Sequence, residues 1–498
     1  MKKSSGILLP IFSLPSDYGI GDFGKGCYNF IDFLSRSGQR YWQILPLVQT
    51  GYGNSPYSSV CSTSISPYYI SLDQLVKEGL LTNEEAKTSY RPHGRVDYEF
   101  LYKIRYPLLR LAFSRFDKTN QSFNQFVEKG EFTDYAIFMA LKENHDYTDF
   151  TDWEDEYKFR NKKAINLFVK QNQDKVLFWQ FLQFIASEQW SKVKSYANEK
   201  GISIIGDLPL YVALDSVDVW ANPKLYKLDD DLLPKKVAGV PPDYFCQDGQ
   251  LWGNPVYDYA YHQKRGFTWW AERIEKALTI YDYVRIDHFR GLDRYYEVEP
   301  TAPNAKDGKW IDVPSKKLFD AIHKKVDKRK IIAEDLGIID DGVRKLLKEV
   351  GYPGMKVLSF AFDGQPDNLY LPQNLPVNAL CYTGTHDNDT LMGLIATISE
   401  WDKTNLINGV QNSLKTLKMP LTVTDDYSLC QAIIELGLNS KAKLFIMPMQ
   451  DICFKYGDYR INEPGTVKNE NWTIRFEEGE FNFWLSDRLL TLTKKYGR

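Results

Sequence analysis

Short, continuous runs of apolar and aromatic residues recur along the chain, and several end on an aspartate or a glutamate. Strands with one exposed face alternate apolar and polar residues, so these continuous runs indicate strands that are buried on both faces of a parallel sheet. The pattern predicts eight strands: Arg40–Leu47, Tyr68–Leu72, Ile202–Leu208, Tyr283–Asp287, Lys330–Asp335, Met355–Phe360, Ala379–Asp387 and Lys443–Asp451.

Helical spacing of apolar residues precedes several of these strands, for example over residues 30–34, 318–322 and 343–347. Alternation of strands with helices predicts a parallel sheet, and eight such strands predict an α/β fold, the (β/α)8 TIM barrel. A bare barrel uses roughly 250 residues. The chain has 498 residues, so about half of it is expected to form insertions.

Two mostly helical insertions are predicted in a single catalytic barrel that spans residues 1–498. The first covers about residues 73–200, between strands two and three, and its segment Phe178–Ile185 has aromatic residues at helical spacing. The second covers about residues 210–270, between strands three and four. Its glycine- and proline-rich stretch Gly239–Pro255 predicts a long loop that acts as an active-site lid.

Charge and hydropathy exclude several classes of function. The 62 Lys and Arg residues nearly balance the 65 Asp and Glu residues, which leaves a net charge of −3 and no basic face for nucleic acid or anionic membranes. The sequence contains no apolar run of about 20 residues, as a membrane span requires. Aromatic residues make up 14% of the chain, which suits core packing or stacking on flat ligand faces.

The six cysteines form no Cys-x-x-Cys pair, which indicates reduced thiols and no zinc site. The apolar segment Gly6–Phe12 follows Lys2 and Lys3 and resembles a signal peptide, but Pro10 interrupts it and no cleavage site follows. We therefore expect this segment to be part of the fold. A cytoplasmic protein, monomeric or a small homo-oligomer, is predicted.

Polar residues close four of the predicted strands, and the carboxyl ends of barrel strands meet at one mouth. Taken singly, each has an ordinary structural explanation: an aspartate as a helix cap, an arginine as its ion-pair partner, a histidine as a bonded core residue. Their coincidence at one mouth favours a functional site. The residues are Asp207, Arg285, Asp287, Glu334, Asp335, His386 and Asp387.

Two carboxyl groups of unlike protonation are the requirement for glycoside transfer. One attacks the anomeric carbon, and the other protonates the leaving oxygen and then activates the acceptor. Arg285 lies two residues before Asp287 and hence on the same side of the strand, where it would keep that carboxylate ionised. The acid needs an apolar environment that raises its pKa.

The motifs around these residues resemble those of the amylomaltase family, the 4-α-glucanotransferases or disproportionating enzymes of the α-amylase superfamily. Val284–Gly291 is similar to the nucleophile motif, Ile331–Gly337 to the acid/base motif and Thr383–Thr390 to the motif of the transition-state stabiliser. Further matches include Gly51–Tyr57 and Gly206–Val212. The ordered set extends over almost the whole chain.

The resemblance implies three catalytic residues, with Asp287 as nucleophile, Glu334 as acid/base and Asp387 as stabiliser. It also implies a substrate-binding set in which Tyr57 stacks on the donor sugar beside Asp207, Arg285 and His386, while Trp252 covers the acceptor. Further predicted contacts are Phe360, Asn462 and Tyr52.

The chain departs from ordinary amylases at Asp207, which is followed by Leu-Pro-Leu-Tyr, and at Thr385, where amylases have asparagine. Both departures favour the amylomaltase branch. We expect no C-terminal β-sandwich and, without an aspartate-rich loop at calcium spacing, no metal and no cofactor.

The predicted function is 4-α-glucanotransferase activity, which moves a segment of an α-1,4-glucan to the 4-hydroxyl of another glucan or of glucose through a covalent glycosyl-enzyme. An α-1,4-glucan hydrolase uses the same intermediate and is the alternative enzyme. A non-catalytic glucan-binding protein is the alternative of another class.

Overall fold

The computed structural model describes residues 2–242 and 247–498, and for Tyr52 the backbone alone. The described residues contain twelve strands: β1 Ser4–Leu8, β2 Tyr41–Gln43, β3 Ser203–Leu208, β4 Val237–Val240, β5 Gln250–Pro255, β6 Tyr283–Ile286, β7 Arg294–Val298, β8 Lys309–Asp312, β9 Ile331–Ala333, β10 Gly354–Val357, β11 Ala379–Tyr382 and β12 Leu444–Pro448.

Eight of these strands form a parallel sheet in the order β10-β11-β12-β1-β2-β3-β6-β9. The sheet curls until its two end strands meet, and the N–H of Ala333 in β9 donates to the carbonyl of Pro353 beside β10 at 3.0 Å. This arrangement confirms the TIM barrel predicted from the sequence. The strands are buried almost throughout, which explains their continuous apolar runs.

Nineteen α-helices are present in the described residues and pack around the sheet or in the connections. They are α1 Lys25–Arg36, α2 Leu72–Lys77, α3 Asn83–Lys87, α4 Tyr98–Arg115, α5 Gln121–Glu128, α6 Thr133–Asn144, α7 Asp155–Lys158, α8 Lys162–Gln171, α9 Gln173–Glu199, α10 Val217–Ala221, α11 Tyr259–Lys264, α12 Thr268–Ile280, α13 Ser315–Lys325, α14 Asp341–Val350, α15 Leu391–Thr397, α16 Glu400–Thr416, α17 Asp426–Asn439, α18 Met449–Ile452 and α19 Phe483–Lys495.

The prediction of a strand at Tyr68–Leu72 is wrong, and the first barrel strand is β1 instead. Pro67 starts a short 3-10 helix that ends at Tyr69, and α2 begins at Leu72. A proline favours the first turn of a helix and donates no hydrogen bond to a ladder. The strand β1 begins with two serines and ends inside the apolar segment Gly6–Phe12, which was expected to belong to the fold but was not predicted as a strand.

A second sheet, of four strands in the order β5-β4-β7-β8, extends the barrel beside β3 and β6. The prediction of a long loop over Gly239–Pro255 is wrong at both ends of the stretch, where β4 and β5 pair antiparallel as a hairpin, and the lid role of the connection between them stays a prediction. Residues 243–246 in its connection, including Tyr244 of the predicted lid, lie outside the described residues. The pairing of β4 with β7 joins segments far apart in sequence.

The connection from β2 to β3 contains α2 to α9. Aromatic rings from α4, α5 and α9 interlock there, as Phe116 does with Phe181 at 4.9 Å and with Phe123 at 5.3 Å between ring centroids. After β12 the described residues form α18, α19 and connecting segments, with no further strand among them. None of the described helices meets the length and hydropathy that a membrane span requires.

Candidate active site

The register of the barrel places Asp207 directly opposite Arg285. These residues are partners across the parallel ladder of β3 and β6, so their side chains leave the sheet on the same face. Arg285 Nη2 donates to Asp207 Oδ2 at 2.6 Å, and the side chain of Asp207 is fully inaccessible to solvent. A buried carboxylate needs such a partner, because desolvation of an unpaired charge costs several kcal/mol.

The same guanidinium nitrogen reaches a second carboxylate and a phenol. Arg285 Nη2 lies 2.8 Å from Asp287 Oδ1, and the hydroxyl of Tyr57 donates to Asp207 Oδ2 at 2.6 Å. One cation therefore holds two carboxylates, and Tyr57 is oriented by the more deeply buried of them. Burial raises the pKa of Tyr57 well above its usual value, so the phenol remains protonated.

Asp287 stands just beyond the end of β6 and keeps 29% of its side chain accessible. Burial raises the pKa of Asp287, the Arg285 cation lowers it, and the negative charges of Asp207, Glu334 and Asp387 raise it again. These carboxyl groups titrate together. The net effect is a raised pKa for Asp287, and the direct contact of the Arg285 guanidinium is the interaction that favours its ionised form.

Glu334 follows β9 and accepts two backbone hydrogen bonds. The N–H of His288 donates to Glu334 Oε2 at 2.6 Å, and the N–H of Leu336 donates to Oε1 at 2.9 Å. Burial raises the pKa of Glu334 to about 7, against the Arg285 charge and these two N–H groups. A carboxyl group with such a pKa can give up and take back a proton near neutral pH.

Asp387 is held by the chain from two directions. Asn462 Nδ2 donates to Asp387 Oδ1 at 2.6 Å, and His386 Nε2 lies 3.3 Å from Oδ2. Arg460 Nη2 donates to the backbone carbonyl of Asp387 at 2.8 Å. The segment before α19 therefore fixes the carboxylate that follows β11. Burial lowers the pKa of His386, so its ring is neutral at pH 7.

Three aromatic rings form one wall beside these carboxylates. Tyr57 and His386 are stacked at 5.0 Å with an interplanar angle of 11°. Trp472 lies 5.9 Å from Tyr57 and 6.0 Å from His386. Trp472 has a φ of 64°, and its backbone nitrogen donates to Ile461, which anchors the ring next to the segment that holds Asp387.

The carboxylates open into a cavity of about 410 Å³ lined by rings and polar groups. A second cavity of about 410 Å³ adjoins it and shares Tyr57, Trp252, Asp287 and His288. The Trp252 ring meets the His288 ring edge-on at 4.8 Å, so these two side chains stand where the cavities join. Such a pair of connected cavities can hold two ligand segments, one on each side of Asp287.

The structure brings together ten of the eleven residues that the sequence assigned to the site. The three carboxylates Asp287, Glu334 and Asp387 line the first cavity or bond to its walls, as do Tyr57, Asp207, Trp252, Arg285, Phe360, His386 and Asn462. The eleventh is Tyr52, whose side chain lies outside the described residues. Their individual roles stay predictions.

Two residues of the site carried no assignment from the sequence. His288 lies within the motif Val284–Gly291 without a predicted role of its own, and its φ of 51° turns its N–H toward Glu334. Trp472 lies 86 residues after His386 in the sequence and has no motif of its own. In the described chain, no group of three or more His, Cys, Asp or Glu residues is arranged to hold a metal ion.

The geometry provides three carboxyl groups around one cavity, one in contact with a guanidinium and one that accepts two backbone hydrogen bonds, with stacking rings alongside. This combination is able to attack a glycosidic carbon, protonate the departing oxygen and stabilise the positive charge that develops in the transition state of each step. Arg285 contributes a fixed cation, and the neutral rings contribute apolar faces. None of these groups requires a metal in order to act.

Comparison with known proteins gives one consistent result. The family model described as 4-alpha-glucanotransferase matches residues 9–480. The 4-alpha-glucanotransferase of Clostridium butyricum is 40% identical, covering 98% of this chain and 99% of its own length. The 4-alpha-glucanotransferase of Synechocystis sp. is 43% identical, covering 100% of this chain and 98% of its own length. An amylomaltase from Streptococcus agalactiae, solved in complex with acarbose, is 35% identical with a TM-score of 0.94, covering all of both chains. The chain belongs to the 4-alpha-glucanotransferase family.

Proposed function

We propose that the protein is a 4-α-glucanotransferase that cleaves an α-1,4-glucan and passes the donor part to the 4-hydroxyl of another glucan or of glucose. The observation that carries this proposal is the unlike surroundings of two carboxyl groups at one cavity. Asp287 contacts the Arg285 cation at 2.8 Å, whereas burial raises the pKa of Glu334 to about 7.

In the first step, an Oδ atom of Asp287 attacks the anomeric carbon of the donor. The glycosidic C–O bond breaks, and the proton of Glu334 goes to the departing 4-oxygen. In the second step, the ionised Glu334 takes the proton of the acceptor 4-hydroxyl. That oxygen attacks the anomeric carbon, the bond to Asp287 breaks, and both carboxyl groups return to their initial states.

The remaining residues have supporting roles in this proposal. Asp387 stabilises the positive charge that develops at the anomeric carbon, and Asn462 and His386 keep it in place. The ring of Tyr57 stacks on the donor sugar. Trp252 and His288 border the adjoining cavity, which we assign to the acceptor. Phe360 lines the donor-side cavity.

Transfer demands that a sugar hydroxyl reacts before water does. An acceptor that is held in position reacts in a nearly unimolecular step, which gives it an advantage over bulk water. The cavity bordered by Trp252 provides an aromatic face for that purpose. The described cysteines are free thiols, which supports a reducing compartment such as the cytoplasm. The proposed reaction consumes no cofactor.

Incubation of the full chain with maltotriose tests the proposal. Transfer produces a ladder of longer oligomers together with glucose, and the number of reducing ends stays constant. A gain of reducing ends without longer products would identify the hydrolase instead.

Asp287→Asn should lower turnover by about 10⁴-fold or more, as expected for loss of a nucleophile, while binding of maltodextrin remains measurable. Wild-type protein that binds maltodextrin without any turnover would identify a non-catalytic binding protein.

A further inference from the structure

A group of exposed aromatic rings lies at the start of α17, at the start of α19 and in the segment that follows α18. Trp484 is 80% exposed, Phe483 67%, Tyr427 54% and Tyr456 45%. We call these four residues, with the half-buried Phe454, the aromatic patch. Single exposed apolar residues are ordinary on a protein surface, but a contiguous group marks a binding site.

The rings of the patch are connected by direct contacts. Phe483 and Trp484 are 6.1 Å apart between ring centroids, and Tyr427 and Phe454 are 5.7 Å apart. Tyr427 lies beside Tyr456, whose pKa it raises. Phe454 and Trp484 line the same depression, so the patch is continuous from Tyr456 to Trp484.

The depression between Phe454 and Trp484 has a volume of about 380 Å³. Its floor is rigid, because the Arg488 guanidinium lies 4.5 Å from the centre of the Phe454 ring and donates to the carbonyl of Ile452. Polar groups stand at its edge, among them Asn482 and the ion pair of Lys455 with Glu480. The lining thus combines apolar ring faces with hydrogen-bonding groups and carries little net charge.

The patch lies toward the catalytic end of the barrel. Phe454 follows α18, and α18 follows the carboxyl end of β12. From there the chain continues to Arg460 and Asn462, which bond to Asp387. A long chain molecule that occupies the active-site cavity therefore has the patch on the same face of the protein.

We propose that the aromatic patch is a second binding surface for α-glucan chains, which retains an outer part of a long donor or acceptor outside the active-site cavity. The proposal rests on the proposed function, since that function makes a long neutral glucan the molecule at this face. A pyranose ring has an apolar face and a rim of hydroxyl groups. The patch offers the complementary surfaces, with exposed rings for the face and Asn482, Lys455 and Glu480 for the rim.

The test compares the double variant Phe483→Ala/Trp484→Ala with the control Phe159→Ala. Phe159 is another exposed phenylalanine, 45% accessible, in the connection between β2 and β3. Retardation by amylose in native gels is measured with each change placed in the Asp287→Asn chain, so that the ligand is not consumed. Steady-state kinetics on long amylose and on maltotriose are measured in the otherwise unchanged chain.

Loss of two aromatic anchors should weaken retardation by amylose about tenfold and lower kcat/KM on amylose by a similar factor. Maltotriose is too short to span both sites, so its kcat/KM should stay within twofold of the parent. The single variant Trp484→Tyr should be retarded by amylose nearly as strongly as the parent, because it keeps an aromatic ring at this position. The control Phe159→Ala should behave as the parent in every assay.

Unchanged retardation by amylose in the double variant overturns the proposal. So does a loss that accompanies dissociation of a dimer at the same protein concentration in light scattering, because the patch would then be a contact between two copies of the chain. Absence of the maltotriose ladder with the parent chain would refute the proposed function instead. Retardation of the Asp287→Asn chain by amylose reports on the patch independently of that result.

Discussion

The backbone N–H of His288 donates to Glu334 Oε2 at 2.6 Å, and it does so from a left-handed backbone conformation with a φ of 51°. A histidine in this conformation is uncommon, and a β-branched residue would be a true outlier. The strain is located one residue after Asp287. One turn of the chain therefore carries the proposed nucleophile and, through its main chain, orients the proposed acid.

His288→Val should separate this main-chain role from the role of the ring. Valine resists the left-handed conformation, so the N–H should move away from Glu334, and the carboxylate would lose a bond worth roughly 1.5–3 kcal/mol. That bond favours the ionised form, so its loss raises the pKa of Glu334. The basic limb of kcat/KM for maltotriose transfer should move up by about one to two pH units, with kcat/KM reduced about tenfold or more.

His288→Gly is the matched control, because glycine also lacks the ring but adopts a positive φ freely. It should retain the parent pH profile even if the rate falls through loss of the contact with Trp252. Identical basic limbs for the glycine and valine variants would show that the main-chain bond does not set the acidity of Glu334.

Arg285→Gln should destabilise the fold as well as abolish activity. It leaves the fully inaccessible side chain of Asp207 without its cation, at an expected cost of about 3–5 kcal/mol in the free energy of unfolding. Adding Asp207→Asn should recover most of that stability, because the uncompensated charge is removed. It should not recover transfer, since Asp287 still lacks its cation. Chemical denaturation of the two single variants and the double variant measures the coupling, and additive losses would contradict it.

Glu334→Gln should stabilise the protein at alkaline pH. The pKa of Glu334 is about 7 in the folded state and near 4.5 in the unfolded chain, so the folded state binds this proton more tightly. Wild-type stability then declines as pH rises from about 4.5 through about 7. Glutamine has no charge to bury, so the variant should be more stable than wild type at pH 8 by on the order of 1–3 kcal/mol.

Denaturant titrations at pH 4.5 and pH 8 check this expectation. The difference between Glu334→Gln and wild type should shrink at the lower pH, whereas Glu349→Gln, on the exposed side of α14, should show little difference at either. An equal difference at both pH values would mean that burial of Glu334 does not oppose its ionisation.

Trp252→Ala should shift the balance from transfer toward hydrolysis. Trp252 stands where the two cavities join, edge-on to His288 at 4.8 Å, and its loss removes a stacking surface for the acceptor. The ratio of reducing-end gain to longer oligomers from maltotriose should rise about tenfold, equivalent to losing one aromatic anchor. Trp252→Phe should keep the ratio near that of wild type. A fall in both products at an unchanged ratio would place Trp252 outside acceptor binding.

The sequence predicts the barrel and its carboxylates because both depend on local patterns. Seven of the eight predicted strands overlap barrel strands of the structure, since continuous apolar runs report burial on two faces. Once the strands are predicted, the polar residues at their carboxyl ends can be read from the sequence. The register of β3 against β6, which sets Asp207 opposite Arg285, confirms that such residues share one face.

The features that sequence reasoning missed depend on contacts between distant segments. The hairpin of β4 and β5 is stabilised because β4 pairs with β7. No local sequence pattern around β4 predicts this pairing with a distant strand. Trp472 joins Tyr57 and His386 through tertiary packing alone. The strand β1 is buried by its neighbours β12 and β2 although its first residues are serines.

The closure of the barrel has a consequence for the chemistry beside it. Ala333 N–H meets the carbonyl of Pro353 between β9 and β10, and Asp335 reinforces the junction by accepting from Met355 N at 2.5 Å and Lys356 Nζ at 2.8 Å. Glu334 lies between Ala333 and Asp335. The hydrogen bonds that close the barrel therefore also fix the backbone on both sides of the proposed acid, so a change that loosens β9 against β10 should alter the pKa of Glu334 together with the stability of the fold.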